Sequence, residues 1–166
     1  MIRRSVRVPA LVNLRLATWD DHEQVWAWNN APDVRARSLD PRPIDYDAHC
    51  DWFVRRLADR LARVLIIEAD DVPVGVIRTQ RTEQGGVGRV SVALDQAARG
   101  RGLGRAAIHA LCHADPGPLE AEILADNRTS RIAFEAAGFR LARTVLAADG
   151  RLTLVYLWRI ADVAVA

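Results

Sequence analysis

The chain has 166 residues, 50% of them hydrophobic and 27% charged, which is one domain's worth of sequence with enough apolar material for a core without disulfides or metal. Its 23 basic residues are all arginine, set against 21 acids for a net charge of +2, and no basic run exceeds a dipeptide. That balance excludes a nucleic-acid-binding tail, and the lack of lysine excludes Schiff-base chemistry. No apolar run approaches membrane-spanning length, so no membrane partner is expected. The start, M-I-R-R-S-V-R-V-P-A-L-V, is basic like a signal peptide, but Asn13 and Arg15 interrupt it too early. Cys50 and Cys112 fall in expected helices at no disulfide spacing, which points to a reducing, cytoplasmic setting and a single domain over residues 1–166.

In chain order, Asn13 to Leu16 reads as a strand, and Thr18 with Asp21 forms a capping pair for a helix running to about Asn30, closed by Pro32. The proline- and charge-rich stretch that follows reads as a loop. Apolar residues at Cys50, Phe53, Val54, Leu57 and Leu61 recur at helical spacing, predicting a helix from Asp45 to about Ala62. Val64 to Ala69 and Val74 to Gln80 form a hairpin around Asp70 and Asp71, and a polar link from Glu83 to Gly88 leads to a strand over Val90 to Leu94. A helix from Leu103 to His113, a strand from Leu119 to Leu124, another helix, and a final hairpin (Phe139 to Leu146, Leu152 to Trp158) turning at Asp149 and Gly150 complete the chain.

The segment V-S-V-A-L-D-Q-A-A-R-G-R-G-L-G, Val90 to Gly104, is the most informative. Gly100, Gly102 and Gly104 at alternate positions let the backbone approach a ligand, and the helix that follows aims free N–H groups at it. Arg99, Arg101 and Arg105 add positive charge, so the guest carries phosphate. A dinucleotide fingerprint fails because the sixth position from Gly100 is Arg105, and a Walker loop fails for want of lysine. His109 and His113, one turn apart around Cys112, lack the glutamate of a metalloprotease helix and read as solvent-facing; no metal is expected.

Arg99, Gly102 and Gly104 satisfy the pattern [QR]-x-x-G-x-[GA], and in this the chain resembles the GNAT family of acetyl-CoA-dependent N-acetyltransferases. Asn127, Ser130, Phe134, Gly138 and Phe139 occupy the places of a second family segment, in family order. The resemblance implies an α/β fold with a mixed, mostly antiparallel sheet of about seven strands flanked by four helices. It implies acetyl-CoA as co-substrate, with its pyrophosphate on Arg99, Gly100, Arg101, Gly102, Leu103, Gly104 and Arg105, its pantetheine arm along the backbone of Val92, Ala93 and Leu94, and further contacts from Asn127, Ser130 and Phe134. Two family groups are missing: the strand glutamate is replaced by Arg89 and Ser91, and the tyrosine that protonates the leaving thiolate by Phe134. Ser91 in a water chain, and Tyr156 as a hydroxyl from elsewhere, are the candidates left, with direct attack under weak acid–base assistance as the expected mechanism.

The N-terminal third is rich in aromatic and amide side chains. W-A-W-N-N-A-P-D-V-R and H-C-D-W-F resemble, in part, enzymes that acetylate nucleotide-linked amino sugars, and share features with ribosomal-protein N-terminal acetyltransferases. Trp28, Asn29, Asn30, His49 and Trp52 are the acceptor-side candidates on that resemblance. Trp26 and Trp28 cannot both face the acceptor from one helix, packing alone explains Trp52 and Phe53, and His49 reads equally as an acceptor contact or a helix-capping partner. A small-molecule amine is the expected partner; peptide acetylation and a non-catalytic acyl-CoA-binding module are the alternatives. The oligomeric state stays open, a homodimer included.

Overall fold

The computed structural model describes residues 11–82, 86–115, 117–147 and 149–158. The expected signal-like start, and Glu83 to Gly85 of the polar link, lie outside the described residues. Strand β1 (Val12–Leu16) is followed by a 3-10 turn, Trp19–Asp21, which Thr18 and Asp21 cap as the sequence predicts. Helix α1 (His22–Asn30) ends at Asn30, but Pro32 opens a further short helix, α2 (Pro32–Ala36), where a loop is expected. The proline ring holds Ala31 extended (ψ 133°) while fixing its own φ for a first helical turn, so one residue ends a helix and begins the next.

Helix α3 (Tyr46–Ala58) is capped by Asp45, whose carboxylate accepts from the Ala48 N–H at 3.0 Å. It stops four residues short of the predicted Ala62 because Asp59 turns the chain, accepting the Leu61 N–H at 2.8 Å on its side chain and the Ala62 N–H on its carbonyl. The remaining elements are β2 (Ala62–Ala69), β3 (Val72–Gln80), β4 (Gly88–Leu94), α4 (Leu103–Ala114), β5 (Leu119–Leu124), α5 (Arg128–Ala136), β6 (Arg140–Leu146) and β7 (Leu152–Trp158). Apart from α2, this is the order the sequence predicts.

The seven strands form one sheet in the order β1-β2-β3-β4-β5-β7-β6, antiparallel throughout except for β4 beside β5. The central strands β2 and β3 each contain four consecutive buried residues, as expected for strands covered on both faces. Alternation splits those residues between two cores. Leu65, Ile67 and Ile77 pack with Ile108 and Leu111 of α4 and Phe134 of α5, while Val64, Ile66 and Val76 pack on the other face with Val25 and Trp28 of α1 and Phe53 of α3. Cys50 and Cys112 are free thiols in α3 and α4, and among the described residues no helix is long and apolar enough to cross a membrane.

Candidate active site

The site begins where the sheet comes apart. Strands β4 and β5 pair only at Gly88 with Leu119 and Arg89 with Glu120, whereas β4 stays paired with β3 from Arg89 through Leu94. The Asp95 N–H donates to the Val74 carbonyl at 2.8 Å, so by alternation Ala93 and Ser91 turn their backbone groups toward β3. Val92 and Leu94 therefore turn theirs into the gap. The Leu94 carbonyl there already accepts Arg99 Nε at 3.1 Å and Nη2 at 3.0 Å. What remains is a short free strand edge with the Val92 and Leu94 N–H groups unclaimed by the ladder.

Directly after that edge, Asp95 caps the 3-10 turn Gln96–Ala98 and the chain passes through Gly100 (φ 72°) and Gly102 (φ 79°) into α4. Both glycines occupy the left-handed region, which side chains tolerate poorly, and a Cβ at either would meet no atom within 4 Å. Gly102 is the N-cap and offers no side chain; the first intrahelical bond runs from the Ala106 N–H to its carbonyl. The N–H groups of Leu103, Gly104 and Arg105 consequently lack helical partners, at the positive end of the helix dipole. A cradle of backbone donors with room for an atom where a Cβ would stand suits a phosphoryl oxygen.

A cavity of about 520 Å³ runs from this loop along β4 to α5. Val92, Ala93, Leu94, Arg99 and Gly100 line it, with Gly102, Leu103, Gly104 and Arg105, and Asn127 and Ser130 at the far side. The structure thus brings together eleven of the thirteen residues expected to hold coenzyme A. Arg101 is exposed and does not line the cavity, because the left-handed glycines on either side turn it outward. Phe134 lines the neighbouring cavity instead, buried edge-to-face against Phe139 with centroids 4.9 Å apart. Asn127 Oδ1 caps α5 by accepting the Ser130 N–H at 3.2 Å. Arg99 spends its guanidinium on the Leu94 carbonyl and an ion pair with Asp33 of α2, so it braces the loop against α2.

A second cavity, about 490 Å³, adjoins the first and shares Val34, Arg37, Ser38, Val92, Asn127 and Ser130 with it. Of the acceptor-side candidates, Asn29 and Trp52 line this cleft. Trp28 is buried, and its Nε1 donates to Asp95 Oδ2 at 3.3 Å, so it supports the loop from behind. Asn30 is used up on Ile44, giving to its carbonyl at 3.2 Å and accepting its N–H at 2.8 Å. His49 lies in the second core, stacked on Phe53, its Nε2 2.9 Å from the His22 carbonyl. These three are spent on contacts within the fold, and none lines the cleft.

Burial lowers the His49 pKa from its ordinary 6.5. As pH falls below 6.5 the unfolded chain takes up a proton that the folded chain resists, so stability is lost until the lowered folded value is passed. Urea midpoints measured from pH 7.5 down to 5 are expected to decline, and less steeply in His49→Gln; parallel declines would remove His49 as a cause.

Ser91 lines the second cleft, where its Oγ accepts Arg78 Nε at 2.5 Å, so the atom expected to relay a proton is held by a cation. Tyr156 lines neither cavity. Its buried hydroxyl gives to Glu135 Oε1 at 2.7 Å and accepts from Arg131 Nε at 3.3 Å, and burial together with Glu135 raises its pKa. The carboxylates lining the cleft, Asp40 and Glu122, sit in ion pairs with Arg42 and Arg89 at 2.7 and 2.8 Å. His109 and His113 are exposed, as expected of them.

The arginines of this cleft are not among the residues expected from the sequence. Arg78 of β3 lies over Trp52, 4.9 Å from the ring centroid, and burial, with Arg56 and Arg35 repelling it, pulls its guanidinium down to about 10. The signal available in the sequence was a lone arginine interrupting the apolar run V-G-V-I-R of a central strand.

No curated protein matches the sequence. Solved structures resemble the fold. An aminoglycoside acetyltransferase in complex with coenzyme A is 20% identical with a TM-score of 0.74, covering 90% of this chain and 95% of the other. A spermidine N-acetyltransferase from Vibrio cholerae with coenzyme A and spermine is 12% identical at a TM-score of 0.78, over 89% and 95%. A putative phosphinothricin N-acetyltransferase is 22% identical at 0.76, over 92% and 100%. The acetyltransferase (GNAT) domain family matches residues 12–140, which span the split strands, the glycine loop and the Asn127 helix. The chain belongs to the GNAT acetyltransferase family and is an acyl-CoA N-acyltransferase.

Proposed function

We propose that the protein transfers the acetyl group of acetyl-CoA to the primary amine of a small molecule, a nucleotide-linked amino sugar by preference, by direct attack in a ternary complex. The observation that carries this is the meeting of two cavities at Val92, one ending in a phosphate cradle and the other in an aromatic and polar cleft. Acetyl-CoA supplies a thioester already activated toward amines. The chain's own part is to hold the pyrophosphate on the Leu103, Gly104 and Arg105 N–H groups, align the pantetheine arm along the free edge of β4, and present the Val92 N–H to the thioester oxygen. The amine nitrogen then bonds to the carbonyl carbon as the carbon–sulfur bond breaks, and its surplus proton leaves through water. The cationic cleft favours the free amine over the ammonium ion. A peptide acceptor is the weaker reading, since the cleft holds more arginine than carboxylate to meet a peptide amine.

Thiol release from acetyl-CoA over a panel of amino sugars, their nucleotide conjugates, other small amines and peptides tests the reading. Turnover of small amines supports it; coenzyme binding with turnover of none defeats it. Arg89 Nη2 already occupies Glu122 Oε1 at 2.8 Å, so Glu122→Gln is expected to lower kcat less than tenfold. kcat/KM should keep rising with pH toward the acceptor amine's own pKa. A loss of 10² or more with a flattened pH limb, within the usual range for a general base, would make Glu122 that base.

A further inference from the structure

The acceptor cleft has more cation than it uses. Arg56 pairs with Asp59 at 3.2 Å and Arg89 with Glu122, but Arg35, Arg37 and Arg78 have no carboxylate within ion-pair distance among the described residues. Arg35 is spent on the backbone carbonyls of Asn29, Asp40 and Arg42, which tie α2 to the end of α1 and to the loop that follows α2. Arg78 is different. Its Nε donates to Ser91 and its Cζ lies over the Trp52 ring, while both Nη groups lack a described protein partner and the residue lines the cleft. A half-buried guanidinium held by a hydroxyl and an aromatic ring with its fork left open has the geometry to donate to two oxygens of one acidic group.

We propose that the cleft selects amines that also carry a carboxylate or phosphoryl group, and that Arg78, lying over Trp52, is the residue that binds that group. This rests on the acceptor reading above and narrows it. Arg35 and Arg37 add attraction for the same charge, and the surplus of arginine repels polycations, so polyamines and aminoglycosides are poor acceptors for this chain. The pull of the neighbouring arginines on the Arg78 pKa is relieved when an anion enters between them.

The test uses matched acceptors: an amino acid against its carboxamide, a nucleotide-linked amino sugar against the free amino sugar, and spermine as the polycation. Wild type is expected to prefer the acidic member of at least one pair by 100-fold or more in kcat/KM, with the favoured pair identifying carboxylate or phosphoryl as the source. Arg78→Met should bring that preference within threefold at unchanged KM for acetyl-CoA, and Arg78→Lys should restore part of it. Calorimetric titration of inorganic phosphate into enzyme saturated with coenzyme A reads the same site without turnover, and therefore still decides if no acceptor is acetylated. Binding to wild type that is lost in Arg78→Met supports the proposal. Equal use of acidic and neutral acceptors, best turnover with spermine, or phosphate binding that is absent or indifferent to Arg78→Met overturns it.

Discussion

Replacing Gly102 by leucine is expected to abolish coenzyme A binding, raising Kd at least 100-fold, while the protein stays folded. Gly102 sits at φ 79° with nothing within 4 Å of an added Cβ, so the substitution meets no clash inside the protein. Its penalties are the left-handed backbone, about 1–2 kcal/mol, and a side chain standing where the phosphoryl oxygens belong. For a domain of this size the first penalty lowers Tm by roughly 2–8 °C; the second removes the ligand. A 100-fold loss corresponds to about 2.7 kcal/mol of binding, more than backbone strain alone supplies. Gly150 provides the control, since it has φ 82° and equally open surroundings in the β6–β7 turn. Gly150→Leu should show a similar fall in Tm with coenzyme Kd unchanged. If the two variants bound coenzyme alike, the glycine loop would not be the phosphate cradle.

The second large effect concerns one backbone N–H. Val92 is the β4 residue that both cavities share, and its N–H points into the gap between β4 and β5. Val92→Pro removes that donor without taking a bond from the β3–β4 ladder, a position at which a strand tolerates proline. Loss of one oxyanion donor typically costs 10²–10³ in kcat, so a fall of that order is expected with coenzyme Kd shifted less than tenfold. Ala93→Pro, one residue on, deletes a ladder bond to Val76 in the middle of the sheet and should lower Tm far more than Val92→Pro does. A folded Val92→Pro enzyme with kcat within tenfold of wild type would show that the thioester carbonyl is polarised elsewhere.

Much of the coenzyme side was legible in the sequence because it is local. The glycine spacing, the helix that follows and the Asn127 cap are each decided within a few residues, and the backbone N–H groups they leave free do not depend on the side chains. The acceptor side was read poorly for the opposite reason. Trp28, Asn30 and His49 look like ligand-binding residues in a string of letters, yet their partners lie at Asp95, Ile44 and His22, contacts that span 14 to 67 positions. Tyr156 carries a hydroxyl suited to donating a proton, but β7 packs it into the core beside Glu135 and Arg131, away from both cavities.

Local sequence is enough for the seven strands and their order along the chain, the Thr18 and Asp21 cap, and the alternate glycines that open a helix, and hence for a strand-to-helix junction suited to an anion. Each of these follows from periodicity, φ preference or a hydrogen bond reaching two or three residues. Only the tertiary structure decided that β4 and β5 part company after Arg89, leaving Val92 and Leu94 with free N–H groups, because strand pairing is settled by packing across the sheet. It also decided that Arg99 braces α2 and that Arg78 stands open above Trp52, since a guanidinium's role depends on which carbonyls, rings and carboxylates distant segments bring within reach.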